Sequence, residues 1–422
     1  MTDQPASPRL GIVISMFPEL HETFILRELI ALERHGVDFQ IYSLQYPRDP
    51  ITIDEAIALS RDKTSYAKLI SPTTLAAFLK TLVTHPIKTL SAIGKVIFGG
   101  RDRPAEVLKN LAVLPLSLHF YDLGKQHGIT HWHGHWANIP TTACWYLSHI
   151  HGVTWSAAIH GEDIFTKNRF LSKKLDHNAF SVVCSGYFCN HLKTELGLET
   201  PDDVHLNYHG LDPRVTERAP SRRFNQRSPG EPLNLLSIGR LVPTKGHDTL
   251  INACAQLRKH NVPFKLQIVG SGPIEAELRA LITKNQLDDV IELRGGMAFA
   301  DVLDTLEKAD VFCLAPRMIP GQPPDGIPNV IAEAMALRVP VVSTAVSAIP
   351  ELVEDGVSGV LVPVDDVDAF AQALMRISDD PSFAMNLSNE AAEKVGYRFD
   401  QNRNIEELLA LFEQYVPGQV VK

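Results

Sequence analysis

The 422-residue sequence contains no CxxC pair, no GxxxxGK[ST] loop and no GxGxxG after its first strand-like run. Without the first, a thiolate zinc site has no scaffold. Without the second and third, a P-loop and a nicotinamide or flavin fingerprint are both disfavoured. Five scattered cysteines, Cys144, Cys184, Cys189, Cys254 and Cys313, are too few for a disulfide framework and suit a reducing cytosol. The opening MTDQPASPRL has no apolar core, so a secretory signal is not expected there. The stretch Gly128 to Gly161 has no Asp, Glu, Lys or Arg and holds six histidines. It reads as buried strands and loops, not as a membrane span. There is no excess of basic charge either. Forty Lys and Arg against 49 Asp and Glu give a net charge of -9, which argues against a nucleic-acid partner.

What is present is ordinary globular material: 45% hydrophobic and 21% charged residues, enough for two full cores. Short apolar runs alternate with helical patterns. Leu10–Ser15, Val37–Leu44, Ile129–Trp132, Trp155–Ile159, Ser181–Cys184 and Val204–Tyr208 read as strands of one half. Leu233–Ile238, Lys265–Val269, Val290–Leu293, Val311–Leu314, Val339–Ser343 and Val360–Val362 read as strands of another. Between them, Asp212 to Pro232 is rich in Pro, Arg and Ser and reads as a linker. Two doubly wound α/β domains in tandem follow, with ligands expected at the carboxyl ends of the strands and in a cleft between domains.

The densest chemistry lies in the second half. Gly239-Arg240-Leu241-Val242-Pro243-Thr244-Lys245-Gly246 follows a strand. An Arg and a Lys in one β–α loop suit a diphosphate, each charge-assisted bond adding about 1.5–3 kcal/mol. A solvated loop with incidental charges is the plain alternative. Further on, Asp325-Gly326-Ile327-Pro328-Asn329-Val330 leads into a helix, with Pro328 fit for its first position. Gly326 allows close approach, and the amides of Ile327 to Val330 would face an anion. Glu333 then sits among Val330, Ile331, Ala334 and Met335, where a carboxylate needs a partner. Ribose hydroxyls would serve, and so would a buried Arg. Gly270-Ser271-Gly272-Pro273 follows a strand too, but a lone GxG says little.

In the first half, His131, His133 and His135 alternate along a strand and share a face. A metal site there is conceivable, but no Asp or Glu accompanies them before Glu162, so polar packing or cleft lining is the preferred reading. His160 stands at a strand's carboxyl end, and Asp163 reads as a cap for the helix that follows.

These residues together resemble glycosyltransferase family 4, over nearly the whole chain. The carriers are GRLVPTKG (239–246), IVGSGP (268–273), DGIPNVIAEAMA (325–336) and PVVSTAVSAIPELVEDGVSG (340–359). FPELHETFILREL (17–29), HGED (160–163) and NYHGLD (207–212) extend it into the first half. That half looks like the exopolysaccharide and colanic-acid branch. The resemblance implies a GT-B fold, two Rossmann-like doubly wound α/β domains facing a central cleft. The acceptor domain would span 1–212, the donor domain 213–397, and a helix over about 398–422 would pack back on the first. It implies a retaining transferase moving a hexosyl unit from a UDP- or GDP-linked sugar to a glycan or lipid-linked glycan, with no metal and no other cofactor.

By the same resemblance, Gly239, Arg240 and Lys245 would meet the diphosphate, and Glu333 the ribose. Asp325 replaces the first Glu of the family's E-x7-E pattern and would contact sugar hydroxyls. Gly326, Ile327, Pro328, Asn329 and Val330 would touch sugar or phosphate. Gly296 and Met297 would lie at the base, and His160 would face the donor sugar. Glu22 and His135 would lie on the acceptor side. His21 stands where related sequences often carry Ser. Retention is usually explained by attack on the leaving-group face, so no enzymatic nucleophile is sought. Other GT-B activities, an epimerase or a phosphorylase, and a non-catalytic nucleotide-sugar binding protein are the alternatives.

One regional feature remains. From Arg61 to Lys125 there are ten basic and four acidic residues, a local charge of +6 that leaves the rest at −15. The window includes the apolar stretches Leu75–Leu82 and Ile87–Phe98. Such a face suits peripheral contact of a cytoplasmic protein with the anionic inner face of the plasma membrane; a solvated helix face is the alternative.

Overall fold

The computed structural model describes residues 9–19, 22–99, 103–165, 170–196, 198, 201–219, 230–322, 324 and 326–416. The chain divides into two compact units, Met1–Gly210 with Gln401–Lys422, and Leu211–Asp400.

Among the described residues, the first unit carries seven strands: β1 Arg9–Met16, β2 Phe39–Gln45, β3 Thr64–Tyr66, β4 Ile129–His135, β5 Thr154–Ile159, β6 Ser181–Val183 and β7 Val204–Leu206. They form one sheet in the order β3-β2-β1-β4-β5-β6-β7. Every pairing is parallel. Parallel strands covered on both faces read as apolar runs, which is why most of these were visible in sequence. β3 is the exception, a half-buried three-residue edge strand with no run to announce it.

One face of this sheet packs on Trp132, Trp145 and Trp155 and their neighbours. The Trp132 ring lies where a Cβ at Gly11 or Gly124 would fall, 2.8 and 2.5 Å from ring atoms. The isolated Gly11 is thus a packing glycine. The opposite face joins Ile12 of β1 with Ile25, Leu29 and Leu32 of helix Thr23–Arg34, and with Ile405, Leu408 and Phe412 of helix Gln401–Tyr415. Each such side chain contributes about 1.5–3 kcal/mol on full burial. Polar contacts seal that helix in place: Gln401 Nε2 donates to the Arg27 carbonyl at 2.8 Å, and Asn207 Nδ2 to the Asn404 carbonyl at 2.8 Å.

The uncharged stretch 128–161 differs from its reading as strands and loops. It holds β4 and β5 joined by the helix Ile139–His151. Pro140 sits in the first turn of that helix, and Gly152 ends it with φ 76°.

The second unit has β8 Leu233–Ile238, β9 Phe264–Val269, β10 Ile291–Gly295, β11 Val311–Leu314, β12 Val341–Thr344 and β13 Val360–Val362. Their order is β10-β9-β8-β11-β12-β13, again all parallel. The stretch read as a linker is partly helical. Pro213–Arg218 forms a short helix, with the Asp212 side chain accepting from Arg214 N at 2.9 Å. Residues 220–229 of that stretch lie outside the described residues. Helices Val367–Asp379 and Pro381–Arg398 close the unit, capped by Asp366 and Asp380.

Each sheet therefore has one place where chain order reverses, between β1 and β4 in the first unit and between β8 and β11 in the second. At such a switch point the loops leaving adjacent strands diverge and open a crevice.

Candidate functional site

In the second unit the loop leaving β8 is the segment Gly239 to Gly246. It is held by backbone contacts. Gly239 N donates to Val269 O at 3.0 Å, and Leu241 N to Ser271 O at 2.9 Å. A side chain at Gly270 would overlap the Gly239 carbonyl, and one at Gly272 the Leu241 carbonyl. The GxG of this chain is thus a cradle for the 239–241 backbone. Gly246 has φ 66°, and any Cβ there would overlap the Ala315 carbonyl. Ala315 follows β11, so the loops on both sides of the switch point touch at Gly246. Arg317 N donates to Thr244 O at 2.9 Å and ties them again. The Arg317 side chain pairs with Asp248 at 2.5 Å and Asp365 at 3.0 Å.

On this frame Arg240 is exposed and Lys245 half-buried. The Lys245 alkyl chain runs over Gly239, within 3.5–3.6 Å of where a Cβ would stand. Both cations therefore issue from one short loop at the carboxyl end of β8. His247, absent from the sequence-based assignment, opens the helix His247–Lys259 and is buried beside Ser237 Oγ at 3.3 Å. Burial, partly offset by the Gly239 and Arg240 backbone, pushes its pKa down to about 4. The ring is neutral at pH 7 and acts as a filler beneath the loop.

The segment after β11 leads to the helix Asn329–Ala336. Pro328 is the cap residue of that helix, φ −66° and ψ 115°, one place before the first position expected of it. Its carbonyl accepts from Ile331 N at 2.9 Å, so the turn closes tightly. Gly326, Ile327, Asn329 and Val330 are half-buried and Pro328 is buried. Asp325 lies outside the described residues. Glu333 is buried, with 6% exposure. Arg214, from the helix Pro213–Arg218, is close enough for its pKa to be raised, mainly by hydrogen bonds to Asp212 and also by the Glu333 charge. It grips Asp212 at 2.8 and 2.9 Å and lies over the Phe299 ring at 4.3 Å. Nothing in the local pattern marked Arg214, because its stretch reads as a linker. Gly296 is exposed and Met297 half-buried, both just past β10.

In the first unit, the switch point is crowded with rings. His160, at the end of β5, has 6% exposure. Its ring centroid lies 4.5 Å from Trp136, 4.8 Å from Phe24 and 5.2 Å from His209. Burial and the neighbouring histidines push its pKa well down. Asp163 is not the residue before a helix but lies inside Gly161–Phe165; it accepts from His160 N at 3.5 Å at the start of that helix and from Ala137 N at 2.7 Å, joining the loops after β4 and β5. Lys174, fully buried, donates to the carbonyls of Ala137 and Asn138 at 2.8 and 2.9 Å, and fastens the same turn. His135 is fully buried on β4, with Nε2 3.2 Å from Glu28 Oε1. Glu22 lies at the start of helix Thr23–Arg34, half-buried. Phe24, Trp136 and His209 escaped the sequence reading because aromatic residues on helices and loops usually mark core.

Residues 219–394 match the family model described as glycosyl transferases group 1. The chain is 43% identical over 216 residues to a colanic acid biosynthesis glycosyltransferase, WcaL, of Salmonella typhimurium, covering 50% of this chain and 51% of that one. It is 35% identical over 184 residues to the amylovoran biosynthesis glycosyltransferase AmsK of Erwinia amylovora, covering 44% and 45%. These matches span about half the length of the curated relatives. Among solved structures, the Anabaena protein HepE in complex with UDP is similar over 96% of this chain and all of that one, with a TM-score of 0.69 at 16% identity. The fold is thus the GT-B fold, and residues 219–394 resemble the group 1 glycosyl transferases.

Proposed function

We propose that this chain is a retaining glycosyltransferase that moves a hexosyl unit from a nucleotide-diphosphate sugar to a hydroxyl of a lipid-linked glycan during exopolysaccharide assembly. The observation that carries this reading is the second unit's switch point, where a two-cation loop and a helix entrance leave adjacent strands β8 and β11. The relatives' names place them in colanic acid and amylovoran biosynthesis, and the HepE structure holds UDP.

Negative charge builds on the departing diphosphate as the glycosidic bond breaks. Arg240 and Lys245 meet that charge, and the outward amides at the start of helix Asn329–Ala336 add their partial charges. Because the loop is fixed by its contacts with Gly270, Gly272 and Ala315, little reorganisation accompanies the step. Two cations on a fixed loop and the helix entrance supply the electrostatic stabilisation without calling on a divalent ion. Glu333 takes the ribose hydroxyls, Asp325 and the turn 326–330 the sugar, and Gly296 and Met297 the base. His160 orients the sugar, and Glu22 and His135 belong to the acceptor side. The acceptor hydroxyl attacks on the face the diphosphate leaves, and its proton goes to a diphosphate oxygen.

Membrane contact fits the helices Pro72–Thr84 and Pro86–Phe98, on which Val83, Ile87 and Phe98 are 80%, 83% and 86% exposed. Lys80, Lys88 and Lys95 stand on the same helices. Among the described residues no helix is long and apolar enough to cross a membrane, so this contact would be peripheral and at the cytoplasmic face.

The direct test is to incubate the purified protein with UDP- and GDP-sugars and an extracted lipid-linked acceptor. Formation of glycosylated lipid with the anomeric configuration of the donor, read by NMR, is the expected result. Binding of a nucleoside diphosphate with no product from any acceptor would leave a binding protein instead.

A further inference from the structure

The histidine strand β4 has a partner that its sequence did not reveal. Helix Thr23–Arg34 places Glu28 across from it, more than a hundred residues away in the chain. Glu28, His133 and His135 each offer a ligand atom, and those atoms lie within 4.8 Å of one another. We propose that these three residues form a divalent transition-metal site, with zinc as the favoured ion, inside the first unit and distinct from the donor site.

Three observations support it. The first is that polar atoms are stranded. His133 Nε2, both ring nitrogens of His135 and Glu28 Oε1 are buried without a hydrogen-bond partner. His133 and His135 have 1% and 0% exposure, and so many unpaired groups at one point are costly unless something binds there. The second is the geometry of the one close pair. His135 Nε2 and Glu28 Oε1 are 3.2 Å apart yet misaligned for a hydrogen bond. Two ligands each about 2.0–2.1 Å from a tetrahedral zinc lie about 3.3 Å apart, and they point at the ion, not at each other.

The third is the outer shell. His133 Nδ1 is 2.7 Å from Ser156 Oγ, which is also 2.8 Å from His131 Nε2. His131 Nδ1 in turn is 2.9 Å from Thr154 Oγ1. One consistent proton order runs from His133 Nδ1–H to Ser156, from Ser156 O–H to His131 Nε2, and from His131 Nδ1–H to Thr154. It leaves the lone pair of His133 Nε2 facing the cluster, the arrangement that metal-binding histidines adopt. Two imidazoles and one carboxylate form a zinc donor set with a fourth position open. A small cleft lined by Phe24, Arg27, Glu28, His209 and Asn404 reaches Glu28 and gives the ion a way in.

The test is equilibrium dialysis of chelator-stripped full-length protein against Zn2+, with bound metal counted by elemental analysis. One ion per chain is expected, together with a higher melting temperature in Zn2+ than in chelator. Glu28→Gln, close in size, should weaken binding at least tenfold while leaving the melting temperature in chelator unchanged. Ser156→Ala should weaken binding by about 10- to 100-fold through the outer shell. Visible absorption of the Co2+-loaded protein should report a tetrahedral site that Glu28→Gln alters. No binding at micromolar Zn2+, or binding that Glu28→Gln leaves intact, overturns the assignment. Neither result bears on nucleotide binding in the second unit.

Discussion

The two switch points share one topology and are built from different materials. In the second unit the crevice is shaped by backbone: Gly246, Gly270 and Gly272 let main chains touch, and two cations ride on the resulting loop. In the first unit it is shaped by side chains. Phe24, Trp136 and His209, half-buried, pack against the buried His135 and His160 in one ring cluster. Fifteen of the seventeen histidines belong to the first unit and two to the second. A glycine-built crevice suits a charged group, because amides and long cationic side chains tolerate variation around it. A ring-built crevice is rigid and particular, which suits recognition of a defined shape.

The comparison can be broken in four ways. Trp132→Ala should cost about 3–5 kcal/mol of first-unit stability, since its ring fills the slot over Gly11 and Gly124. Hydrogen exchange should then rise in 9–210 and 401–416 and stay unchanged in 230–400; uniform destabilisation would show that the units are not separate. Arg240→Ala and Lys245→Ala should each lower turnover about 10²–10³-fold, or about 3–4 kcal/mol, with the melting temperature unchanged. Near-normal turnover in both would remove the diphosphate from this loop.

The third concerns acid. His151 and His209 in the first unit have pKa values pushed down to about 4 by burial. The unfolded chain, with histidine near 6.5, therefore takes up protons first as pH falls. Stability is complete above about pH 6.5 and is lost toward pH 4, by up to about 1.4 kcal/mol per pH unit for each such histidine. In chelator, urea unfolding followed by unit-resolved exchange should show the first unit weakening most between pH 6.5 and 5. In the second unit His247 alone shows this depression among the described residues. Equal losses in both units would contradict the contrast.

The smallest expected effect is at the surface. Lys88→Glu with Lys95→Glu should weaken binding to phosphatidylserine vesicles by about 1 kcal/mol or more per residue, with the gap closing in high salt. Phe98→Asp should weaken it at all salt concentrations. Vesicle binding indifferent to all three would leave these helices as ordinary solvent-facing elements.

Legibility in the sequence followed the same division. The backbone-built site was readable, because glycines and cations after an apolar run are local signals; Gly239 to Gly246 emerged at the end of β8 as its spacing implied. Arg214 and His247 were not, since their roles come from packing across elements. Pro213–Arg218 was hidden by a composition that also suits a linker, and β3 by its short length. The Glu28 cluster was invisible for a topological reason. β1 and β4 are neighbours only after the sheet forms, and that pairing brings the helix after β1 over the histidines of β4. Ile12 opposite His133 is the register that does it.

The helix Gln401–Tyr415 has a consequence for the order of synthesis. Ile405, Leu408, Leu409 and Phe412 belong to the core of the first unit, yet the ribosome adds them after the whole second unit. Residues 211–400 contain all the chain of the second unit and should be able to fold as soon as they emerge. Residues 9–210 have to wait for the piece that covers helix Thr23–Arg34 and its neighbours. A nascent chain arrested once residue 400 has left the ribosome should therefore present a finished second unit and a first unit with an open apolar face. That unfinished half is where chaperones should bind.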